Sequence, residues 1–512
     1  MKDTIVILDF GSQYTQLIAR RIRELKVFSV ILPCNASLSR IKKFNPKGVV
    51  LSGGPHSVYQ KNAPSLKKGV LGLGVPILGI CYGMQTMMKA LGGRVKEAPR
   101  REYGRALMYI DNHKSLFFSL PAKIVSWMSH GDKVESIPPE FSILAHTANT
   151  AFAAVGDPKR KLYGVQFHPE VIHTDKGLQI VSNFLFRICE CFATWQLSDF
   201  IDSKIKDIKK KVKKDNVVLG LSGGVDSSTA AVLVHKALGR KLKCIFVDNG
   251  LLRKNERRNV TRVFKNHFKI DLRVVNAGKS FLKKLKGVVS PEKKRKIIGH
   301  EFIRIFDKEA RKIKNAKYLV QGTLYPDVIE SVSFFGGPTS RIKSHHNVAG
   351  LPRKMDLKLI EPFRELFKDE VREIAKIMGL PDSIVWRQPF PGPGLAVRIV
   401  GEITPAKLKI LREADAVLDR IIREKKLYKK LWQSFCVLLP LRSVGVMGDK
   451  RTYEYAVAIR AVESVDGMTA DWAKIPYGIL EDISNRIINE VRGINRVVLD
   501  ISSKPPATIE WE

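Results

Sequence analysis

The sequence has no CxxC pair. Its six cysteines, at 34, 81, 189, 191, 244 and 436, are scattered. That argues against a zinc ribbon or finger and fits a reducing compartment, while leaving room for a catalytic thiol. Cys189 and Cys191 are spaced as CxC with no second ligand pair, and read as buried small residues. No apolar run reaches the length of a membrane span, so no membrane partner is expected. The start, MKDTIVILDFGSQ, lacks a signal-peptide layout because Asp9 and Gly11 end its short apolar run. A cytoplasmic location is the expectation. Acidic residues are scarce: 50 Asp and Glu stand against 88 Lys and Arg, a formal net charge of +38. Such a surface attracts polyanions. The basic residues are spread along the whole chain, however. The densest run, Lys204–Lys214, has Ile205, Ile208 and Val212 at helical spacing beneath a solvated lysine face. No zinc-finger, RNP-like or homeodomain signature is present, and no specific nucleic-acid partner is expected.

What is present is a run of strand–helix alternation too long for one core. The 512 residues predict about two to four domains. Val217–Leu221 is a short apolar run of the kind that makes a buried strand. Ser222, Gly223, Gly224, Val225, Asp226, Ser227 and Ser228 follow, and Thr229–Leu238 reads as a helix stopped by Gly239. A strand that turns through glycines into a helix aims several backbone N–H groups at one spot, where the helix dipole favours an anion. The Walker pattern needs a lysine, and Ser222–Ser228 has none. It has Asp226, which would repel phosphate unless Mg²⁺ stood between them. The expected ligand is therefore Mg-bound pyrophosphate. SGGVDSS resembles the PP-loop of the ATP pyrophosphatases, which implies that Ser222–Ser228 bind ATP and that it is cut to AMP and pyrophosphate.

In the N-terminal third, Ile5–Leu8, Val49–Leu51 and Pro76–Ile80 read as strands, with helices at Tyr14–Leu25 and Gly83–Leu91. This alternation predicts a parallel sheet covered by helices. Gly79-Ile80-Cys81-Tyr82-Gly83 has the G-x-nucleophile-x-G layout of a strand-to-helix elbow. There the helix N-terminus favours a thiolate at Cys81. The Tyr82 N–H faces a developing oxyanion, and Gly54, in the Ser52-Gly53-Gly54-Pro55 turn, is the second expected donor. A base comes from GVQFHPEV: His168 and Glu170 are two apart, so in an extended segment both point to one side and Glu170 can orient His168. With SGGPHSVY, PILGICYGMQ, REYGRA, MSHGDKV and YGVQFHPEV, residues 3–192 resemble a class I glutamine amidotransferase. The resemblance implies release of ammonia from glutamine, with Cys81 as nucleophile, His168 as base and Glu170 as orienter.

Further along, Lys243–Val247 is a strand with the polar tip Asp248-Asn249-Gly250, Lys269–Asn276 is another, and Pro291–Gly299 opens a basic helix. Gly336–Gly350 is glycine-rich and polar and reads as a mobile segment; His345 and His346, adjacent in sequence, read as phosphate or loop contacts rather than metal ligands. Pro389–Gly394 (PFPGPG) cannot be regular structure and marks a second boundary. Past it, short strands with helices suggest a small α+β domain. The PP-loop run, VDNGLLR, KRKIIG, QGTLYPDVIES, IKSHHN, RQPFPGPGLAVRI, SVGVMGDKRTYEYAVAIRAVESVDGMTADW and SSKPPATIEWE, taken together and in this order, resemble the GMP synthase (glutamine-hydrolysing) family. SGGVDS alone would also fit NAD synthetase, asparagine synthetase or a tRNA-modifying thiolase; the amidotransferase in front narrows this, and a glutamine-dependent NAD synthetase would use a nitrilase-type Glu-Lys-Cys triad.

The resemblance implies an α/β protein in three parts: an amidotransferase domain at 1–192, a PP-loop ATP pyrophosphatase domain at 193–388, and a dimerisation domain at 389–512. It implies glutamine-dependent amination of xanthosine monophosphate (XMP) to GMP, with Mg²⁺, ATP and glutamine as co-substrates or cofactors, in a homodimer. Lys504, Ile509 and Glu510, with Arg295 and Asp449, are the implied XMP-binding residues. One departure is Ala349, where the family pattern has glycine. If that position needs a positive φ, alanine is disfavoured there.

Overall fold

The computed structural model describes residues 2–331, 357–447, 449–464, 467 and 469–512. The Gly336–Gly350 segment, with His345, His346 and Ala349, lies outside the described residues. The chain divides into two compact units that meet in sequence at Gln196/Leu197.

The first unit is built on one nine-stranded sheet. Its strands are β1 (Thr4–Asp9), β2 (Phe28–Pro33), β3 (Gly48–Leu51), β4 (Ile77–Ile80), β5 (Arg94–Ile110), β6 (Lys123–Ser136), β7 (Ser142–Thr147), β8 (Ala154–Asp157) and β9 (Leu162–Val165). The order is β2-β1-β3-β4-β9-β8-β7-β5-β6. The half from β2 to β9 is parallel. The other half, built on the long β5–β6 hairpin, is antiparallel, a feature absent from the sequence-based expectation. Every residue of TIVILD, GVVL and ILGI is buried. Such continuous apolar strands suit the interior of a sheet covered on both faces.

The second unit carries a five-stranded, wholly parallel sheet of β10 (Asn216–Gly220), β11 (Leu242–Asp248), β12 (Asp271–Asn276), β13 (Ala316–Val320) and β14 (Lys358–Ile360). Its order is β12-β11-β10-β13-β14. The chain leaves β10 to one side and later returns on the other. The C-terminal end of β10 is thus a topological switch point, where open α/β sheets hold ligands. The Lys-rich helix, Leu197–Val212, buries Ile205, Ile208 and Val212 as its spacing predicted. A further sheet joins β15 (Gln433–Met447), β16 (Lys450–Glu463), β17 (Asp471–Trp472) and β18 (Ile494–Asp500). Residues on both sides of the expected 388/389 boundary share one core. Val218 and Ile245 of the parallel sheet cluster with Leu411 and Leu418 of the Pro405–Glu424 helix, Val457 and Ile459 of β16, and Ile487 of the Tyr477–Glu490 helix. Among the described residues no helix is long and apolar enough to cross a membrane, and all six cysteines are free and buried.

Candidate active sites

The first site forms where β4 turns into the helix Tyr82–Ala90. Cys81 sits at the turn with φ 51° and ψ −108°, a conformation that non-glycine residues rarely adopt. Its N–H donates to the Val165 carbonyl on the neighbouring strand at 2.7 Å. The turn is possible because its flanks lack side chains: a Cβ on Gly79 would come within 2.7 Å of the Met84 nitrogen. Tyr82 follows as the first helical residue, so its N–H has no partner within the helix. The SGGP turn meets both partners of this elbow. A Cβ on Gly54 would lie 3.2 Å from Tyr82 Cγ, and one on Gly53 would lie 3.2 Å from His168 Cε1.

His168 Nδ1 donates to Glu170 Oε1 at 2.7 Å, with the two residues 3% and 1% exposed. The His168 N–H donates to the Trp127 carbonyl on β6, and the Tyr14 ring meets the imidazole edge-on at 5.0 Å. Arg21 Nε holds the Glu170 carbonyl at 2.9 Å. Burial alone would lower the imidazole, but the Glu170 carboxylate and the neighbouring Cys81 sulfur raise it well above the usual histidine range. Cys81, His168, Glu170, Gly54 and Tyr82 thus lie around one elbow. Gln166 was quoted in its motif but given no role. Its Nε2 lies 3.6 Å from Cys81 Sγ. The period-two spacing of Gln166, His168 and Glu170 was the available signal.

The second site is the loop after β10. Its helix starts at Val225 rather than Thr229, with Gly224 as an extended N-cap. The polar residues Asp226, Ser227 and Ser228 are weak helix formers, which hid this first turn from a reading by propensity. As a result the motif and the first helical turn coincide, and unpaired N–H groups of that turn belong to the loop itself. Gly223 adopts φ 75°, and its carbonyl receives Arg387 Nη1 at 2.8 Å. Ser222 Oγ and Ser227 Oγ pair at 2.9 Å. Asp226 Oδ2 is 3.3 Å from Lys368 Nζ. Asp226 Oδ1 and Ser228 Oγ are buried without a hydrogen-bond partner among the described residues. Buried carboxylate oxygens are ordinarily hydrogen-bonded, so one left without a partner stands out. Lys368 was not foreseen. It stands at the start of the Lys368–Ile377 helix, so a lysine does reach this lysine-free loop.

The tail forms a third cluster. The Lys504 backbone pairs with Ala470, and its Nζ donates to the Gly467 carbonyl at 2.7 Å. Ile509 packs beside Phe435, Val437 and Ala458. The Glu510 carboxylate receives Arg398 at 2.9 and 3.1 Å and Gln433 Nε2 at 2.6 Å. Arg295 donates to the main-chain oxygen of Glu512. Asp449 is elsewhere, at the turn of the β15–β16 hairpin, with φ 60°. Gln433 pairs with Val462 at one end of that hairpin and Met447 with Lys450 at the other. That separates Asp449 from the Gln433 end by roughly 40 Å along the strand. The structure gathers Arg295, Ile509 and Glu510 on the tail, holds Lys504 against Ala470 and Gly467, and leaves Asp449 at the far end of the hairpin, because a paired strand cannot fold back on itself.

The glutamine amidotransferase class-I family model matches residues 6–188, the NAD synthase model residues 195–295, and the GMP synthase C terminal domain model residues 420–511. Across 510 residues the chain is 60% identical to GMP synthase (glutamine-hydrolyzing) of Brachyspira hyodysenteriae, covering 100% of this chain and 99% of that one. The chain belongs to the GMP synthase (glutamine-hydrolysing) family. The protein of the same name from Halothermothrix orenii is 57% identical over 513 residues, 100% of each chain. That of Maridesulfovibrio salexigens is 56% identical over 510 residues, 99% of each. The NAD synthase match spans the PP-loop strand and helix and ends at Arg295.

Proposed function

We propose that this protein aminates XMP to GMP with glutamine as nitrogen donor, cleaving ATP to AMP and pyrophosphate. The observation that carries this reading is the presence in one chain of a buried Cys81–His168–Glu170 set on an elbow and a pyrophosphate-type loop at a sheet switch point. In the first unit, Cys81 attacks the glutamine amide carbon while its proton goes to His168. The N–H groups of Tyr82 and Gly54 face the oxyanion, and His168 returns the proton to the departing ammonia. Water then releases glutamate from the thioester. In the second unit, the N–H groups of Ser222–Ser228 and Lys368 hold the outer phosphates of ATP. Asp226, with its free buried oxygen, would hold Mg²⁺, which when bound screens the phosphate charge. The 2-oxygen of XMP attacks the α-phosphorus and expels pyrophosphate, and ammonia then displaces AMP from C2.

The nucleotide XMP is assigned to the tail cluster of Arg295, Lys504, Ile509 and Glu510; Asp449 stands apart from it. The tail is pinned by several buried cations, although a terminal segment ordinarily frays. A homodimer is proposed through the β15–β16 hairpin, where Leu441, Val444, Val446 and Tyr453 are exposed. The cytoplasm is the proposed location, supported by the six free cysteines. The test is incubation with XMP, Mg-ATP and glutamine and identification of products by mass. GMP, AMP, pyrophosphate and glutamate are expected; ADP with orthophosphate would refute the reading. Cys81→Ala should lose glutamine use and keep ammonia-dependent GMP formation.

A further inference from the structure

We propose that Gln166 is a further catalytic residue of the glutamine site: its carboxamide N–H donates to the Cys81 sulfur and stabilises the thiolate. The proposal rests on the reading of Cys81 as nucleophile. Gln166 is 0% exposed, with Nε2 at 3.6 Å from Sγ. Which end of the amide faces the sulfur is settled by its neighbours. The Gln85 amide donates to the Asp132 carbonyl at 3.0 Å and to Gln166 Oε1 at 3.2 Å. Gln166 Oε1 is therefore an acceptor, and the NH₂ end must turn to Cys81.

The lock continues behind Gln85. The Asp132 carbonyl also receives His130 Nδ1 at 2.9 Å. A carbonyl can only accept, so that ring nitrogen carries the hydrogen. His130 Nε2 faces Glu102 Oε2 at 3.4 Å. Glu102 accepts from the hydroxyls of Thr147 at 3.0 Å and Thr150 at 2.7 Å. Burial alone would raise the Glu102 carboxyl, yet the facing His130 ring and the bonds from Thr150 and Thr147 bring it below the usual range, so it is ionised at neutral pH. Glu102, His130, Asp132, Gln85 and Gln166 are all buried. Polar contacts thus run from the REYG motif, through SHGD, to the nucleophile.

The sulfur needs such a donor. As a thiol, Cys81 donates to the Ser129 carbonyl at 3.8 Å. Once the proton has passed to His168, that carbonyl faces a negative sulfur. His168 then offers charge, and Gln166 offers a donor already aimed, with no reorganisation at the moment of reaction.

The test compares full-length wild type with Gln166→Met, Gln166→Glu and His168→Ala. Three rates are measured: alkylation of Cys81 by iodoacetamide without substrates, glutamine-dependent turnover, and ammonia-dependent turnover. Losing a hydrogen bond to a charged atom should lower alkylation and glutamine kcat/KM by about 10- to 100-fold in Gln166→Met. Gln166→Glu, which sets a carboxylate beside the thiolate, should lose more. Ammonia-dependent turnover should stay within about twofold of wild type, since it bypasses Cys81. Alkylation of Gln166→Met at the wild-type rate overturns the proposal, because a residue that only shapes the pocket leaves the reactivity of the sulfur unchanged. Should Gln166→Met unfold, seen as loss of ammonia-dependent turnover as well, the isosteric Gln166→Glu decides on the same rates. Wild-type alkylation and glutamine turnover in His168→Ala would instead remove the reading of the site itself.

Discussion

Lys294 and Glu512, 218 positions apart in sequence, form an ion pair in which the lysine side chain is wholly buried. Lys294 Nζ also donates to the carbonyls of Ile399 at 2.8 Å and Ala396 at 3.3 Å. The second carboxylate oxygen of Glu512 accepts from the Gly401 N–H at 3.1 Å. With Arg398 on Glu510, and Arg460 on the carbonyls of Ser502, Thr508 and Ile509, three buried cations fasten the tail. Glu512→Ala leaves an ammonium buried without its counter-charge, at an expected cost of about 3–5 kcal/mol. The double variant Lys294→Met/Glu512→Gln should recover much of that. Urea titration of the three proteins measures it, and equal loss in the single and double variants would show that the pair does not act as a pair. The same Glu512→Ala change should raise the KM for XMP more than that for ATP.

The charge on His168 sets a pH dependence. Burial would lower the imidazole, and Glu170 with the Cys81 sulfur overrides that. In Glu170→Gln the burial remains and the main opposing charge goes, so the imidazole falls. The alkaline limb of glutamine kcat/KM, where the imidazolium loses its proton, should move to lower pH. The maximum rate should drop by roughly 10²- to 10⁴-fold. An unmoved alkaline limb would rule out His168 as its source.

That raised value also bears on stability. A histidine whose folded value lies above the unfolded one, about 6.5, adds stability that is complete below that pH. The contribution disappears as the pH climbs through the folded value. The Tm gap between wild type and Glu170→Gln should therefore be widest near pH 6 and close in alkaline solution. A gap independent of pH would mean that Glu170 stabilises the unit by packing rather than by charge.

Local chemistry was legible in the sequence and distant chemistry was not. The Cys81 elbow depends on five consecutive residues, and the His168–Glu170 pair on two positions of an extended segment, so spacing alone revealed both. The contact of Gly54 with Tyr82 needed only the assumption that glycine turns end neighbouring strands. Lys368 lies 142 residues from Asp226, and no periodicity links a helix start to a loop at that distance. The Pro389–Gly394 run signals irregular backbone, but it carries no information on whether the elements before and after it share a core. Leu411, Val457 and Val218 belong to one buried cluster, and such a cluster exists only once the chain has folded.

Lys368 gives the sharpest separation of stability from function. Its ion pair with Asp226 is partly exposed, 41% and 28% by side chain. An exposed pair is worth about 0–1 kcal/mol, so Lys368→Met should leave the thermal transition nearly unchanged. In the proposed phosphate site the same lysine would meet several phosphate charges at a helix N-terminus, and there its loss should be large. The KM for Mg-ATP should rise by about 10-fold or more, and ammonia-dependent GMP formation should fall by roughly 100-fold. Glutamine hydrolysis at Cys81 should persist. Steady-state kinetics with glutamine and with ammonia distinguish these outcomes. A variant that keeps the wild-type KM for ATP but melts earlier would make Lys368 a brace for Asp226 and remove it from the phosphate site.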